Sequence, residues 1–173
     1  ILLDAGYTWD GSQWHHKDPP YEPLGSMNLT SPSHDEAPTS FDIVNATVMK
    51  MKNIGLPVVY ENLTFPNPLV WETVYLKQFD MYFGAWALSM FPDFLWSFFH
   101  SVNDRPFGYN TPGVRNAELD ALLETVKTSM DELEVRAAAK EAQARIVDPS
   151  YSYGLCYIPI YSRNYYNAYT PGL

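Results

Sequence analysis

The sequence predicts an α/β fold with a mostly parallel central sheet flanked by helices. Three observations carry this. A strand, a helix and a strand follow one another over residues 27–63, the order of a βαβ crossover. Phe79–Trp86 is a continuous apolar run with one carboxylate, as in a strand buried on both faces. Two amphipathic helical patterns then occupy 116–147, before a last apolar run at Leu155–Tyr161.

The elements follow in order. Ile1–Gly6 reads as the last helical turn, closed by Gly6. Tyr7–Pro23 reads as loop, with Asp10-Gly11 as a turn and Pro19-Pro20 as a breaker. Met27–Thr30 is a short strand, and Ser31–Pro38 a polar loop. Thr39 or Ser40 is expected to cap a helix, with Asp42 favouring its positive end. Phe41, Val44, Val48 and Met51 recur on one face of that helix, and Gly55 ends it. Leu56–Leu63 is the next strand. Pro66-Asn67-Pro68 turns the chain into a short helix, Leu69–Gln78, and Phe79–Trp86 is expected to be the central strand. Asp93–His100 reads as a short aromatic helix. Asn116 caps a helix with Leu119, Leu122, Leu123, Val126 and Met130 on its apolar face. Asp131 with Glu134 starts the last helix, which packs through Val135, Ala139, Ala142 and Ile146 and stops before Pro149. Leu155–Tyr161 is expected to close the sheet, ahead of a Tyr-rich tail to Leu173.

Length suits one domain or one lobe of a larger protein. Hydrophobic residues make up 46% of the 173, enough for a core. Net charge is −9, and no basic stripe is visible, so nucleic acid is not an expected partner. An acidic surface also argues against anionic membranes. Cys156 lies in an apolar segment and is expected to be a buried small hydrophobe. Neither a signal peptide nor a transmembrane run is present. The opening at Ile1-Leu2-Leu3 reads as an excised piece whose targeting segment lies elsewhere.

With 13 Tyr and 5 Trp, the chain is rich in rings that stack on ligands. Gly84 and Ala85 leave room for close backbone approach before Trp86. Ligands of open α/β sheets bind beyond the carboxyl ends of strands, which makes Trp86 the first candidate contact. Apolar cores use the same residues, so Trp86 stands equally as a core residue. Catalytic constellations are sparse. No phosphate loop or nucleophile elbow is found. Adjacent His15 and His16 point apart in extended chain, and His34 and His100 are isolated; His100 lies near the candidate site. Asp80, inside an apolar run, is expected to be hydrogen-bonded or at the strand entry. Asp93 and Asp120 fit as caps or loop organisers. Asn28, Asn45 and Asn62 each begin an Asn-x-Thr sequon.

An ordered set of segments carries a resemblance. Leu-Leu-x-Ala-Gly-Tyr at 2–7 is followed by Lys52-Asn53-Ile54-Gly55-Leu56. Phe79-Asp80-Met81-Tyr82 leads into Gly-x-Trp at 84–86, then Pro92-Asp93 and Phe98-Phe99-His100-Ser101. Asn110, Gly113, Asn116 and Glu118-Leu119-Asp120-Ala121-Leu122-Leu123 come next. Glu134-x-Arg136, Glu141-Ala142-Gln143 and Ile158-Pro159-Ile160-Tyr161 complete the set. Over nearly its whole length the chain resembles the C-terminal lobe of the family 5 extracellular solute-binding proteins, the dipeptide/oligopeptide-type components of ABC importers.

The resemblance implies one lobe, residues 1–173, of a type II periplasmic-binding-protein clamshell that buries its ligand between two lobes. It implies a small-molecule or peptide ligand, an ABC permease as partner of the intact protein, no cofactor and no catalysis. It places that protein in the periplasm or at the cell surface, touching the membrane only through an N-terminal anchor. Trp86 would line the cleft, with Phe83, Ser89, Trp71 and Asn110 beside it. The family's peptide binders place an Asp three residues after this Trp and, in the oligopeptide type, an Arg three before it. Here these positions hold Ser89 and Phe83, and a hydroxyl supplies no charge-assisted bond to an ammonium. An aromatic, charge-poor edge fits sugars or apolar peptides. The alternatives are a metal or metal-chelate carrier of nickel type, needing His100 or His34 in the cleft, and a hydrolase lobe using Asp80, Asp93 or His100.

Overall fold

A computed structural model describes residues 2–160 and 162. It divides into two compact units: Ile1–Met90 with Arg105–Thr111, and Phe91–Asp104 with Pro112–Leu173.

The first unit opens on a helical turn ended as expected. Gly6 is left-handed, with the amides of Gly6 and Tyr7 bonded to the carbonyls of Leu3 and Leu2. The segment read as loop then forms a hairpin. Strand β1 (Tyr7–Trp9) pairs antiparallel with β2 (Trp14–His16). The Asp10 carboxylate drives the reversal by accepting the amides of Ser12 and Gln13 at 2.7 and 2.8 Å. Each strand has three residues, too short to stand out as a periodic pattern.

A three-stranded parallel sheet follows, in the order β4-β3-β5. Its strands are β3 (Met27–Pro32), β4 (Val58–Leu63) and β5 (Met81–Tyr82). Helix α1 (Pro38–Asn53) links β3 to β4 and buries Val44 and Val48 with Leu29 and Val58. Its first turn differs from expectation: Ala37 is the cap, without a side-chain bond, and Pro38 supplies the preset backbone angle. Gly55 ends the helix in a left-handed turn. A side chain there would strike the Trp9 ring, and Trp14 donates its indole N–H to the Ile54 carbonyl at 2.8 Å.

The apolar run at 79–86 is not the central strand. That place belongs to β3, and β5 is an edge of two paired residues, extended only by the Phe83 amide bonding the Thr30 carbonyl at 2.8 Å. Tyr82 folds its ring over the next-but-one backbone, where any Cβ on residue 84 would sit, and the chain leaves the sheet there. Asp80 is exposed, not buried, and its carboxylate accepts the Asn28 amide at 2.7 Å. The segment expected as helix at 69–78 is regular only over the π-helical turn Leu69–Val74.

Thr30 is fully buried in β3, and its hydroxyl has no hydrogen-bond partner. An unsatisfied buried hydroxyl lowers stability. Thr30→Val is therefore expected to raise the free energy of unfolding by about 1 kcal/mol in urea titration. A loss of stability would mean that the hydroxyl is satisfied.

The second unit is helical: α2 (Phe94–Phe99), α3 (Ala117–Thr128) and α4 (Glu132–Val147). The cap signals of α3 and α4 hold, whereas Asp93 stands at the start of α2 without a side-chain cap bond. Asn116 accepts the Leu119 amide, and Asp131 those of Leu133 and Glu134. Leu119, Leu123 and Val126 of α3 pack with Ala139, Ala142 and Ile146 of α4 and with Leu95 and Phe99 of α2. Met130 lies beyond α3 and is exposed. The expected closing strand does not form over 155–160. The Leu155 amide bonds the Ile146 carbonyl at 2.8 Å, which ties the start of the segment to the end of α4, and residues 156–160 continue as bends and irregular chain. Tyr161 and the tail from 163 lie outside the described residues.

Candidate functional site

An aromatic cluster gathers in the first unit. Trp71 and Tyr75 stand four residues apart on the π-helical turn and its end, with ring centroids 5.3 Å apart. The loop at 105–111 lays two more rings against Tyr75: Phe107 at 6.0 Å and Tyr109 at 6.1 Å. Tyr109 in turn meets Trp86 edge-to-face at 6.0 Å. The Phe107 amide donates to the Tyr75 carbonyl at 3.1 Å, which pins the loop. Phe107 is held left-handed at φ 63°, an uncommon state for a bulky residue that persists only where surroundings fix it. Burial, with a hydrogen bond to Tyr109, pushes the Tyr75 hydroxyl above the usual phenol range.

Half or nearly half of Trp71, Phe107 and Tyr109 faces solvent, at 50%, 59% and 47%. Trp86 is half-buried. The arrangement offers ring faces and edges for stacking.

The five sequence candidates fare differently. Trp71 and Trp86 belong to this cluster, joined through Tyr75 and Tyr109. Asn110 follows Tyr109 and is fully buried. Phe83 packs against the core of α1 and the sheet, apart from the ring cluster. Ser89 is exposed. Sequence reasoning passed over Tyr75, Phe107 and Tyr109. The Trp-x-x-x-Tyr spacing and the Phe-Gly-Tyr sequence were the available signals, but bringing residues 71–75 beside 107–109 is a tertiary event.

The remaining polar candidates have structural occupations. His100 accepts the Val102 amide on Nδ1, and its Nε2 lies 3.1 Å from Glu124. Ser101 donates its hydroxyl to Asp120 rather than to a histidine, so this neighbouring trio lacks the nucleophile–base bond that acyl transfer needs. Asp120 thus serves as a loop organiser. His15 bridges Asp10 and the Tyr21 carbonyl, and the exposed His34 packs its ring on Phe41. Among the described residues, no three His, Cys, Asp or Glu side chains gather closely enough to hold a metal ion. No described helix is long and apolar enough to cross a membrane.

A hollow of about 460 Å³ in the second unit lies between Gly113–Arg115 and Tyr153–Cys156. It contains none of the candidate residues. Burial raises the Cys156 thiol from 9.0 to about 11 and also raises Tyr153 and Tyr157. The folded state therefore keeps protons that the unfolded chain releases first. Stability is full below pH 9 and falls as pH rises towards 11. The urea midpoint is expected to drop across that window, and less steeply in Cys156→Ala. A midpoint flat from pH 9 to 11 would refute the burial of these groups.

Comparison with protein-family models and with curated proteins finds no match. Solved structures do match. The oligopeptide-binding protein AppA of Bacillus subtilis, in complex with a nonapeptide, superposes with a TM-score of 0.69 at 22% identity over 84% of this chain. NikZ of Campylobacter jejuni, in complex with Ni(L-His), gives 0.66 at 16% identity over 82%. The periplasmic binding protein DppA of Helicobacter pylori, in complex with the peptide STSA, gives 0.59 at 18% identity over 83%. The chain spans 28%, 27% and 32% of the lengths of these three proteins. It carries the fold of one part of a periplasmic binding protein, as the resemblance implied. Both peptide and nickel binders share that fold, which gives the nickel alternative no advantage.

Proposed function

We propose that this chain is one lobe of an extracellular solute-binding protein that captures a small solute, a peptide or an oligosaccharide, for an ABC importer. The lobe binds and performs no bond chemistry. It works with a permease outside the cytoplasm, in the periplasm or at the cell surface. The observation that carries this reading is the half-exposed cluster of Trp71, Tyr75, Phe107, Tyr109 and Trp86 on a fold shared with ligand-bound transport proteins. Apolar rings with few convergent polar groups suit a binding cleft. The wiring of His100, Ser101 and Asp120 speaks against the hydrolase alternative.

The test is calorimetry of the full-length protein against a panel of short peptides, oligosaccharides and nickel chelates. One class is expected to bind, with the 173-residue chain alone binding far more weakly, because half a cleft offers half the contacts. Micromolar or tighter binding by the lone chain would overturn the half-site. Failure of every solute would overturn capture.

A further inference from the structure

We propose that the loop at 105–111 is the seat that orients Trp86, with Tyr109 as the positioning residue and Tyr75 as the support that holds Tyr109 in place. This deepens the capture reading and rests on it. The need for a seat follows from where Trp86 stands. β5 pairs only at Met81 and Tyr82, and the Phe83 amide adds a bond to the Thr30 carbonyl. Residues 83–89 run on without regular structure. A side chain on a strand takes its direction from the pleat. On irregular chain that direction has to come from packing. Tyr109 supplies such a contact: its ring meets the Trp86 indole at 6.0 Å and 75°. In this arrangement the positive edge of one ring meets the negative face of the other, and turning either ring towards a sandwich is unfavourable.

Tyr109 is itself fixed. Gly108 and Asn110, on either side of it, are both buried, which anchors the backbone at 109 from two directions. The amides of Gly108 and Thr111 bond the carbonyls of Arg105 and Tyr109 at 2.9 and 2.8 Å. Tyr75 then grips the loop twice. Its carbonyl accepts the Phe107 amide at 3.1 Å, and its ring packs on Phe107 and Tyr109 at 6.0 and 6.1 Å. Trp71 backs Tyr75 from the other side of the π-helical turn's end at 5.3 Å. The left-handed backbone of Phe107, at φ 63°, is a sparsely populated state that this double grip sustains. All of these residues belong to the first unit. A fixed indole meets a ligand with little rotamer freedom left to lose, so the seat acts on affinity through Trp86.

The experiment labels the full-length protein with fluorotryptophan and assigns the fluorine resonance of Trp86 by its loss in Trp86→Phe. Tyr109→Leu and Tyr75→Leu are each expected to shift and broaden that resonance, as the indole samples several orientations. Tyr109→Phe, which keeps the ring, should leave it in place. Circular dichroism checks that the variants stay folded, and Tyr109, half-exposed, is the safer of the two positions to truncate. A Trp86 resonance unchanged in Tyr109→Leu overturns the seat. Calorimetry with trialanine and maltotriose as probes reads the consequence. The probe that wild type binds is expected to bind Tyr109→Leu about tenfold more weakly, and Tyr109→Phe as wild type does. A shifted resonance with unchanged affinity overturns the positioning role. Failure of capture itself is distinguishable: then no member of the wider calorimetric panel binds wild type, while the Trp86 resonance still responds to Tyr109→Leu.

Discussion

Leu123→Ala is expected to lower the free energy of unfolding by roughly 2–5 kcal/mol. Leu123 is wholly enclosed where α3 meets α4, among Leu119, Val126, Ala139, Ala142 and Ile146. Truncation removes buried methyl groups and leaves a void, and the facing side chains are poorly placed to fill it. Ala139 and Ala142 have no rotamers, and α3 is tethered at its start by Asn116. Each route to collapse is therefore restricted, which places the cost well above that of an exposed leucine. Urea titration of wild type and variant reads the difference directly. The exposed Leu133, at 77%, provides the control, with Leu133→Ala expected within about 0.5 kcal/mol of wild type. Equal effects from the two would mean that the α3–α4 contact is not formed.

Trp86→Ala is expected to weaken solute binding to the full-length protein by roughly 1–3 kcal/mol. The indole is half-buried and braced on one side by Tyr109. Bracing limits the rotamer freedom lost when ligand binds, which is why rigid aromatics serve as anchors. A purely structural tryptophan predicts the reverse pattern: a lowered melting temperature with affinity intact. Measuring both on the same variant separates the roles, and unchanged affinity removes Trp86 from the site. Trp86→Phe should keep part of the binding, since a smaller ring still stacks.

Local signals were enough for much of the fold. Asn116 and Asp131 announce helix starts because short polar side chains satisfy amides within three residues. Gly6 and Gly55 mark stops because left-handed backbone favours glycine. The βαβ unit was visible because α1 places Val44 and Val48 on one face between two β-rich segments. Local signals misled where apolar content had two explanations. The run at 79–86 has the composition of a central strand, yet only Met81 and Tyr82 pair, and Asp80 faces water. The segment at 155–160 has similar content but forms no strand, and the Leu155 amide is bonded to the Ile146 carbonyl at the end of α4.

The sequence alone determined the four α-helical segments, the starts of α3 and α4, the parallel crossover, and that aromatic rings rather than charged constellations dominate the chemistry on offer. These follow from interactions between residues a few positions apart. Only the tertiary structure decided that β3 takes the centre of the sheet, and that Trp71, Tyr75, Phe107, Tyr109 and Trp86 meet while Phe83 joins the core. Those outcomes depend on contacts between residues tens of positions apart, which leave no periodic trace along the chain.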